Sequence, residues 1–278
     1  MLFESAIGDA YGFGFEYADE NLPLNDLSRY VRHPTYGASL RPGQYTDDTQ
    51  MSIAIAEALV EGIPWTKLAL ARKFVEVFKR DPREGYAKGF QKILEESKTG
   101  VDLLSKLDPN SDKSGAAMRA GPLGHVQDTQ SLIAMAEIQA SITHDTPDGR
   151  AAAVAAALMT HYFLYEDSPK SRLGLYLNSH LEGRDWNEPW VGRVKARGWM
   201  SVRGAVTAIR TYDSLSSILR ACVAYSGDTD TVSAIALSAA SCCPAIIQDL
   251  PLVLIEGLEG APYGGPYLKQ LDQRLLDV

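Results

Sequence analysis

The chain is poor in the features that mark several large protein classes. It has only three cysteines, Cys222, Cys242 and Cys243, in 278 residues. An odd count without framework spacing excludes a disulfide scaffold, and Cys242 and Cys243 close an apolar segment as free thiols would, which points to a reducing compartment. No apolar run reaches the length of a membrane span. The opening residues, Met1 to Ser5, lack the basic stretch and long apolar stretch of a signal peptide, so the expected location is cytoplasmic. Positive charge is scarce as well: 27 Lys and Arg stand against 35 Asp and Glu, a net charge of -8. That balance excludes broad nucleic-acid binding, which needs a basic face. Alternating apolar and polar runs of the kind that make half-buried strands are also missing.

What remains is helical periodicity. Met51 to Leu59, Trp65 to Phe78, Phe90 to Leu94, Leu215 to Tyr225 and Tyr267 to Leu276 carry apolar residues at helical spacing, with Gly62 and Asp81-Pro82 as stops. Three segments, Thr129 to Ile142, Arg150 to Tyr165 and Thr229 to Cys243, are Ala-rich and apolar nearly all round, the pattern of central buried helices. The expectation is an all-α, single-domain protein spanning residues 1–278, with about ten helices. Gly-, Pro-, Asn- and Asp-rich loops lie at 33–45, 108–125, 183–199 and 260–266. The absence of an exposed apolar stripe leads us to expect a monomer.

Two acidic motifs stand far apart in the chain: Thr46-Asp47-Asp48-Thr49 and Gly227-Asp228-Thr229-Asp230-Thr231. Each opens a helical segment. Taken singly, Thr or Asp before a helix is a common cap, and acids in the first turn suit the helix dipole. Brought together by the fold, their four carboxylates would be costly without a divalent cation. Ligands that are all oxygen select hard ions, Mg²⁺ first and Mn²⁺ or Ca²⁺ after it. Three further segments accompany them. In Gly8-Asp9-Ala10-Tyr11-Gly12, small residues allow close backbone approach, and Asp9 reads best as a structural acceptor; Glu16 follows. Ser111 to Arg119, with Ser114, Gly115, Ala116 and Met118, offers backbone N–H groups to an anion, although taken alone a plain tight turn with helix packing is the favoured reading. In Thr143-His144-Asp145 the lone histidine is more often structural than chemical.

In order, the segments GDAYG, YTDDTQM, SGAAMRAGPLG, THDTPDGRAAA and SGDTDTVSAIA resemble the ADP-ribosylglycohydrolase family, the group that includes the dinitrogenase-reductase-activating glycohydrolase. The resemblance runs from Gly8 to about Ala240. It implies a compact helical bundle with a dinuclear metal site in a central cleft, two Mg²⁺ (or Mn²⁺) ions, and hydrolysis of the bond between ADP-ribose and an acceptor. The family's metal ligands fall on Thr46, Asp47, Asp48, Asp228, Asp230 and Thr231. Catalytic duty falls on Glu16 together with Asp47, Asp48 and Asp230. Ser111, Ser114, Gly115, Ala116, Met118 and His144 match the substrate-binding segments. The implied partner is a mono-ADP-ribosylated protein, modified on arginine in first place, or a small molecule containing ADP-ribose. This chain departs from the family in carrying Ser226 where two glycines often stand, and Ser114 where Asn is frequent. Two alternatives stay open at this point: another two-metal hydrolase of phosphoesters, and a relative that binds ADP-ribose without cleaving it.

Overall fold

A computed structural model describes residues 1–37, 39–260 and 262–278. Fourteen α-helices succeed one another among these: α1 (Leu2–Phe13), α2 (Asp47–Val60), α3 (Lys67–Arg80), α4 (Lys88–Glu96), α5 (Gly100–Lys106), α6 (Gly115–Met118) and α7 (Thr129–Ala140); then α8 (Pro147–Tyr165), α9 (Leu173–His180), α10 (Gly198–Thr211), α11 (Leu215–Ala224), α12 (Thr229–Ala240), α13 (Leu252–Gly257) and α14 (Gly265–Leu275). No β-strand occurs among the described residues; four isolated bridges tie loops together. The architecture is all-α, with more and shorter helices than periodicity alone suggests.

Four helices form the centre. Every residue of α12 is buried, as is all but one residue each of α1 and α2 and the stretch from Ala152 to Phe163 in α8. Their sequences are rich in Ala, Gly and Ser, which lets axes approach closely. A Cβ on Gly8 would lie 2.7 Å from the carbonyl oxygen of Ser233, and one on Gly12 would lie 2.5 Å from that of Thr229. Both positions on α1 therefore have to be glycine for α12 to pack where it does. The amphipathic helices α3, α10, α11 and α14 lay their apolar faces on this centre, with Phe74 and Phe78 of α3 fully buried. Caps fix several of the starts: Thr66, Thr99, Asp128, Thr146 and Ser214 each accept a backbone N–H from the first turn of the helix that follows.

One expectation fails here. The helix beginning at Thr129 is not central. Leu132, Ala136, Gln139 and Ala140 are its buried residues, while Gln130, Ser131, Ala134 and Glu137 face solvent. Alanine tolerates either environment, so an Ala-rich run does not by itself commit a helix to the core. The other two Ala-rich segments, α8 and α12, are buried as expected, α8 starting earlier, at Pro147, and α12 ending earlier, at Ala240.

Candidate metal centre

The site grows from α1. Asp9 is fully buried, and its carboxylate accepts from Thr46 N at 3.0 Å, Thr46 Oγ1 at 2.9 Å, Thr49 N at 3.0 Å and Thr49 Oγ1 at 2.6 Å. It thus holds the first turn of α2 and is the structural acceptor that the sequence suggested. Thr46 is the N-cap, accepting from Asp48 N at 3.4 Å while donating to Asp9. One lone pair of its hydroxyl stays open to a cation. Burial pushes the Asp9 carboxyl up, against these hydrogen bonds.

The second motif is positioned by backbone geometry. Ser226 and Gly227 both adopt the left-handed region, at φ 56° and 83°. The turn is stitched to Val194 by Val194 N to Ser226 O at 3.2 Å and Asp228 N to Val194 O at 3.0 Å. A Cβ on Gly227 would collide with the carbonyl oxygen of Val194, so only glycine fits. Thr229 Oγ1 donates to the carbonyl of Gly12 at 2.8 Å, locking the start of α12 to α1. Asp228 and Asp230 are thereby aimed at the end of α1, where the chain continues into Glu16. Ligand oxygens of Glu16, Asp228 and Asp230 lie within 4.8 Å of one another.

Asp47 and Asp48 approach from the start of α2. The mutual effect of these groups is large. Burial, and after it the charges of Asp228, Asp47 and Asp9, push the half-buried Glu16 up to about 8. Asp47 is pushed up to about 8, by burial first and Asp9 next, and Asp228 up to about 6, by burial. Asp48 and Asp230 are raised well above the ordinary carboxylate range as well, by burial first and then by neighbouring carboxylates. Asp228 is partly relieved by Ser201 Oγ, which donates to its Oδ2 at 3.1 Å, and by the Ser114 hydroxyl. Asp48 Oδ1 is buried and has no hydrogen-bond partner among the described residues. Converging carboxylates, one with an orphaned oxygen, fit a hard divalent cation, which would neutralise the charge and complete the missing bond. Thr231, buried beside Asp48 and Asp228, adds a hydroxyl. Of the six residues expected as metal ligands, Asp228 and Asp230 form one close group with Glu16, Asp47, Asp48 and Thr231 stand beside it, and Thr46 opens α2 next to Asp47.

The segments expected to bind substrate flank this centre. Ser114 precedes the single turn of α6, in which Ala117 N and Met118 N bond the carbonyl of Ser114. The N–H groups of Gly115 and Ala116 have no acceptor among the described residues. The Met118 side chain is buried, and its carbonyl accepts from Ser52 on α2. Ser111 is half-buried, its carbonyl accepting from Thr146 at 3.1 Å. His144 backs the turn: a Cβ on Gly115 would lie 3.0 Å from its Cε1. Its Nδ1 shares a hydrogen bond with Thr143 Oγ1 at 2.7 Å, and burial, with Arg119 and Lys113 nearby, pushes it down to about 3, so the ring is neutral.

Sequence reading missed four contributors. Gly85, at φ 107°, lies directly against Asp47 and Thr46, where any Cβ would strike the Asp47 carboxylate. Ser201 sits on α10, which no apolar run announced. Arg119 is 1% exposed, bonded to Gln139, Thr143 and the Gly115 carbonyl, and burial pushes it down to about 9. Tyr17, at φ 47° and 48% exposed, follows Glu16 at the rim. Two carried a visible signal: Gly85, an isolated glycine in a Pro-containing loop, and Arg119, which closes the Ser111 to Arg119 segment without having been given a role.

A chicken (Gallus gallus) ADP-ribosylhydrolase ARH3 is 26% identical over 78% of this chain, and the human (Homo sapiens) ARH3 29% over 65%. The matched parts span only 64% and 53% of those two relatives' lengths. The ADP-ribosyl-[dinitrogen reductase] glycohydrolase of Rhodospirillum rubrum is 27% identical over 83% of this chain and 80% of its own. Among solved structures, a chain of an ADP-ribosylglycohydrolase-related protein complex superposes with a TM-score of 0.73 at 21% identity, covering 99% of this chain and 95% of that one, which shows a shared fold. The family profile described as ADP-ribosylglycohydrolase matches residues 1–278, and the chain belongs to that family.

Proposed function

We propose that this protein is a Mg²⁺-dependent ADP-ribosylhydrolase that cleaves the glycosidic bond between ADP-ribose and a protein side chain, arginine in first place. The observation that carries the reading is the convergence of Glu16, Asp228 and Asp230, whose oxygens lie within 4.8 Å of one another, with Asp47 and Asp48 near enough to raise their proton affinity and Asp48 keeping a buried oxygen without a partner. Thr46, Asp47, Asp48, Asp228, Asp230 and Thr231 would hold two Mg²⁺ ions, or Mn²⁺. When bound, such ions neutralise the carboxylates and grip ribose hydroxyls, which fixes the sugar next to the scissile bond.

The chain's own groups supply the rest. Departure of the acceptor builds positive charge on the ribose ring, and the surrounding carboxylates stabilise it. Glu16 sits beside Asp228 and Asp230 at the open edge of the cluster and takes the proton of the attacking water. The free N–H groups of Gly115 and Ala116 meet the pyrophosphate. Neutral His144 and buried Arg119 keep that turn in place, Arg119 by clamping the Gly115 carbonyl at 2.9 Å. The family membership, and the names of the relatives from chicken and Rhodospirillum rubrum, favour ADP-ribose over a phosphoester substrate.

The test is release of free ADP-ribose from arginine-linked and serine-linked mono-ADP-ribosylated proteins, with Mg²⁺ and with EDTA. Mg²⁺-dependent release from the arginine-linked substrate is expected. Release of phosphate from phosphoesters, with ADP-ribosylated protein untouched, would overturn the reading.

A further inference from the structure

The rim of the metal centre carries a feature that the cluster does not explain. Tyr17 directly follows Glu16, and its backbone N–H donates to the carbonyl of Gly227 at 2.9 Å, so its backbone is pinned to the turn that presents Asp228. The ring stays 48% exposed. As the neighbour of Glu16, tied to the carbonyl before Asp228, Tyr17 stands at the rim of the cluster.

The ring already holds a guanidinium. Arg193 crosses Gly227, where a Cβ would lie 3.1 Å from Arg193 Cγ. Its Cζ stands 5.5 Å from the centre of the Tyr17 ring, and its Nη1 pairs with Asp19 Oδ2 at 2.7 Å. An aromatic face with a carboxylate beside it is the pairing that a guanidinium prefers, combining cation–π attraction with a charged hydrogen bond. The Arg193 and Asp19 side chains are 39% and 53% exposed, so the contact is solvated and weak enough to exchange for a competing cation.

We propose that Tyr17 and Asp19 form the acceptor subsite for a guanidinium leaving group, and that Arg193 occupies this subsite as an internal stand-in until a modified arginine displaces it. The inference rests on the hydrolase reading for its role, and it names the acceptor from the chemistry of the rim. Tyr17 is here a specificity residue, since it touches the acceptor and not the ribose.

The experiment has two arms. In the first, saturation-transfer NMR follows binding of methylguanidinium, with methylammonium as the control, to the unaltered protein and to Tyr17→Ala, Tyr17→Phe and Arg193→Ala. Saturable methylguanidinium binding is expected in the unaltered protein, at least threefold tighter in Arg193→Ala, retained in Tyr17→Phe and lost in Tyr17→Ala. In the second arm, kcat/KM on an arginine-linked substrate falls about tenfold in Tyr17→Ala, through KM, and recovers in Tyr17→Phe, while affinity for free ADP-ribose stays within twofold. Equal methylguanidinium binding by the unaltered protein and Tyr17→Ala, or hydrolysis indifferent to Tyr17→Ala, would overturn the subsite. Methylguanidinium binding that requires Tyr17, without release of ADP-ribose from any substrate, would uphold the subsite and remove the hydrolase reading.

Discussion

Replacing Asp48 by Asn should stabilise the metal-free protein while weakening its metal centre. Asp48 is buried with an oxygen that bonds nothing, and Asp47, Asp9 and Asp228 all raise its proton affinity. Two unit charges about 4–6 Å apart repel by ~3–4 kcal/mol at an effective dielectric near 20. The cluster limits this cost by taking up protons, so the expected gain from Asp48→Asn is ~1–3 kcal/mol at about pH 8. For a chain of this size that is a rise in Tm of roughly 2–10 °C. The direction with pH follows from linkage. Glu16 and Asp47 titrate near 8 and Asp228 near 6 in the folded chain, above the ordinary carboxylate range of the unfolded one. The folded state therefore binds more protons between about pH 4 and 8, and metal-free stability falls as pH rises through that window. The advantage of Asp48→Asn should widen over the same interval. The assay is thermal unfolding in EDTA from pH 5 to 8.5, repeated with Mg²⁺, where the unaltered chain should gain more than the variant. A variant less stable than the parent in EDTA at pH 8 would refute the view that these carboxylates are crowded in want of a cation.

Two further expectations concern the backbone that aims the carboxylates. Ser226→Gly should raise stability by ~0.5–1 kcal/mol in denaturant unfolding, because a left-handed serine is relieved while glycine returns part of the gain as unfolded-state entropy. Gly227→Ala, one residue on, should cost ~3 kcal/mol or more in the same assay, since its Cβ meets the Val194 carbonyl. Gly85→Ala should lower metal affinity at least tenfold by pushing on the Asp47 carboxylate, read by calorimetric Mg²⁺ titration.

The sequence exposed the chemistry of the site better than its scaffolding. Asp47, Asp48, Asp228 and Asp230 were legible because they sit in paired motifs at helix starts, and Gly8 and Gly12 because glycines inside a helix ask for a close neighbour. Glu16 was named through the family resemblance and not through any local pattern, and the turn after α1 carries it to Asp228 and Asp230. Ser201 was hidden because α10 starts without a side-chain cap inside a polar loop region, and α9 likewise grows uncapped out of a 3₁₀ turn. The cap of α5 was there to be read, in Thr99 accepting from Asp102 N, but seven residues give little periodicity. The α7 segment was misjudged because alanine reports helicity and not depth.

The central claim is that this carboxylate cluster is a metal centre, and calorimetric titration of the EDTA-treated, dialysed protein with Mg²⁺ and with Mn²⁺ at about pH 7.5 tests it most directly. The account predicts saturable binding of two ions per chain, with affinity at least tenfold lower in Asp228→Asn and in Asp48→Asn. Absence of binding, or equal affinity in the parent and both variants, would contradict it.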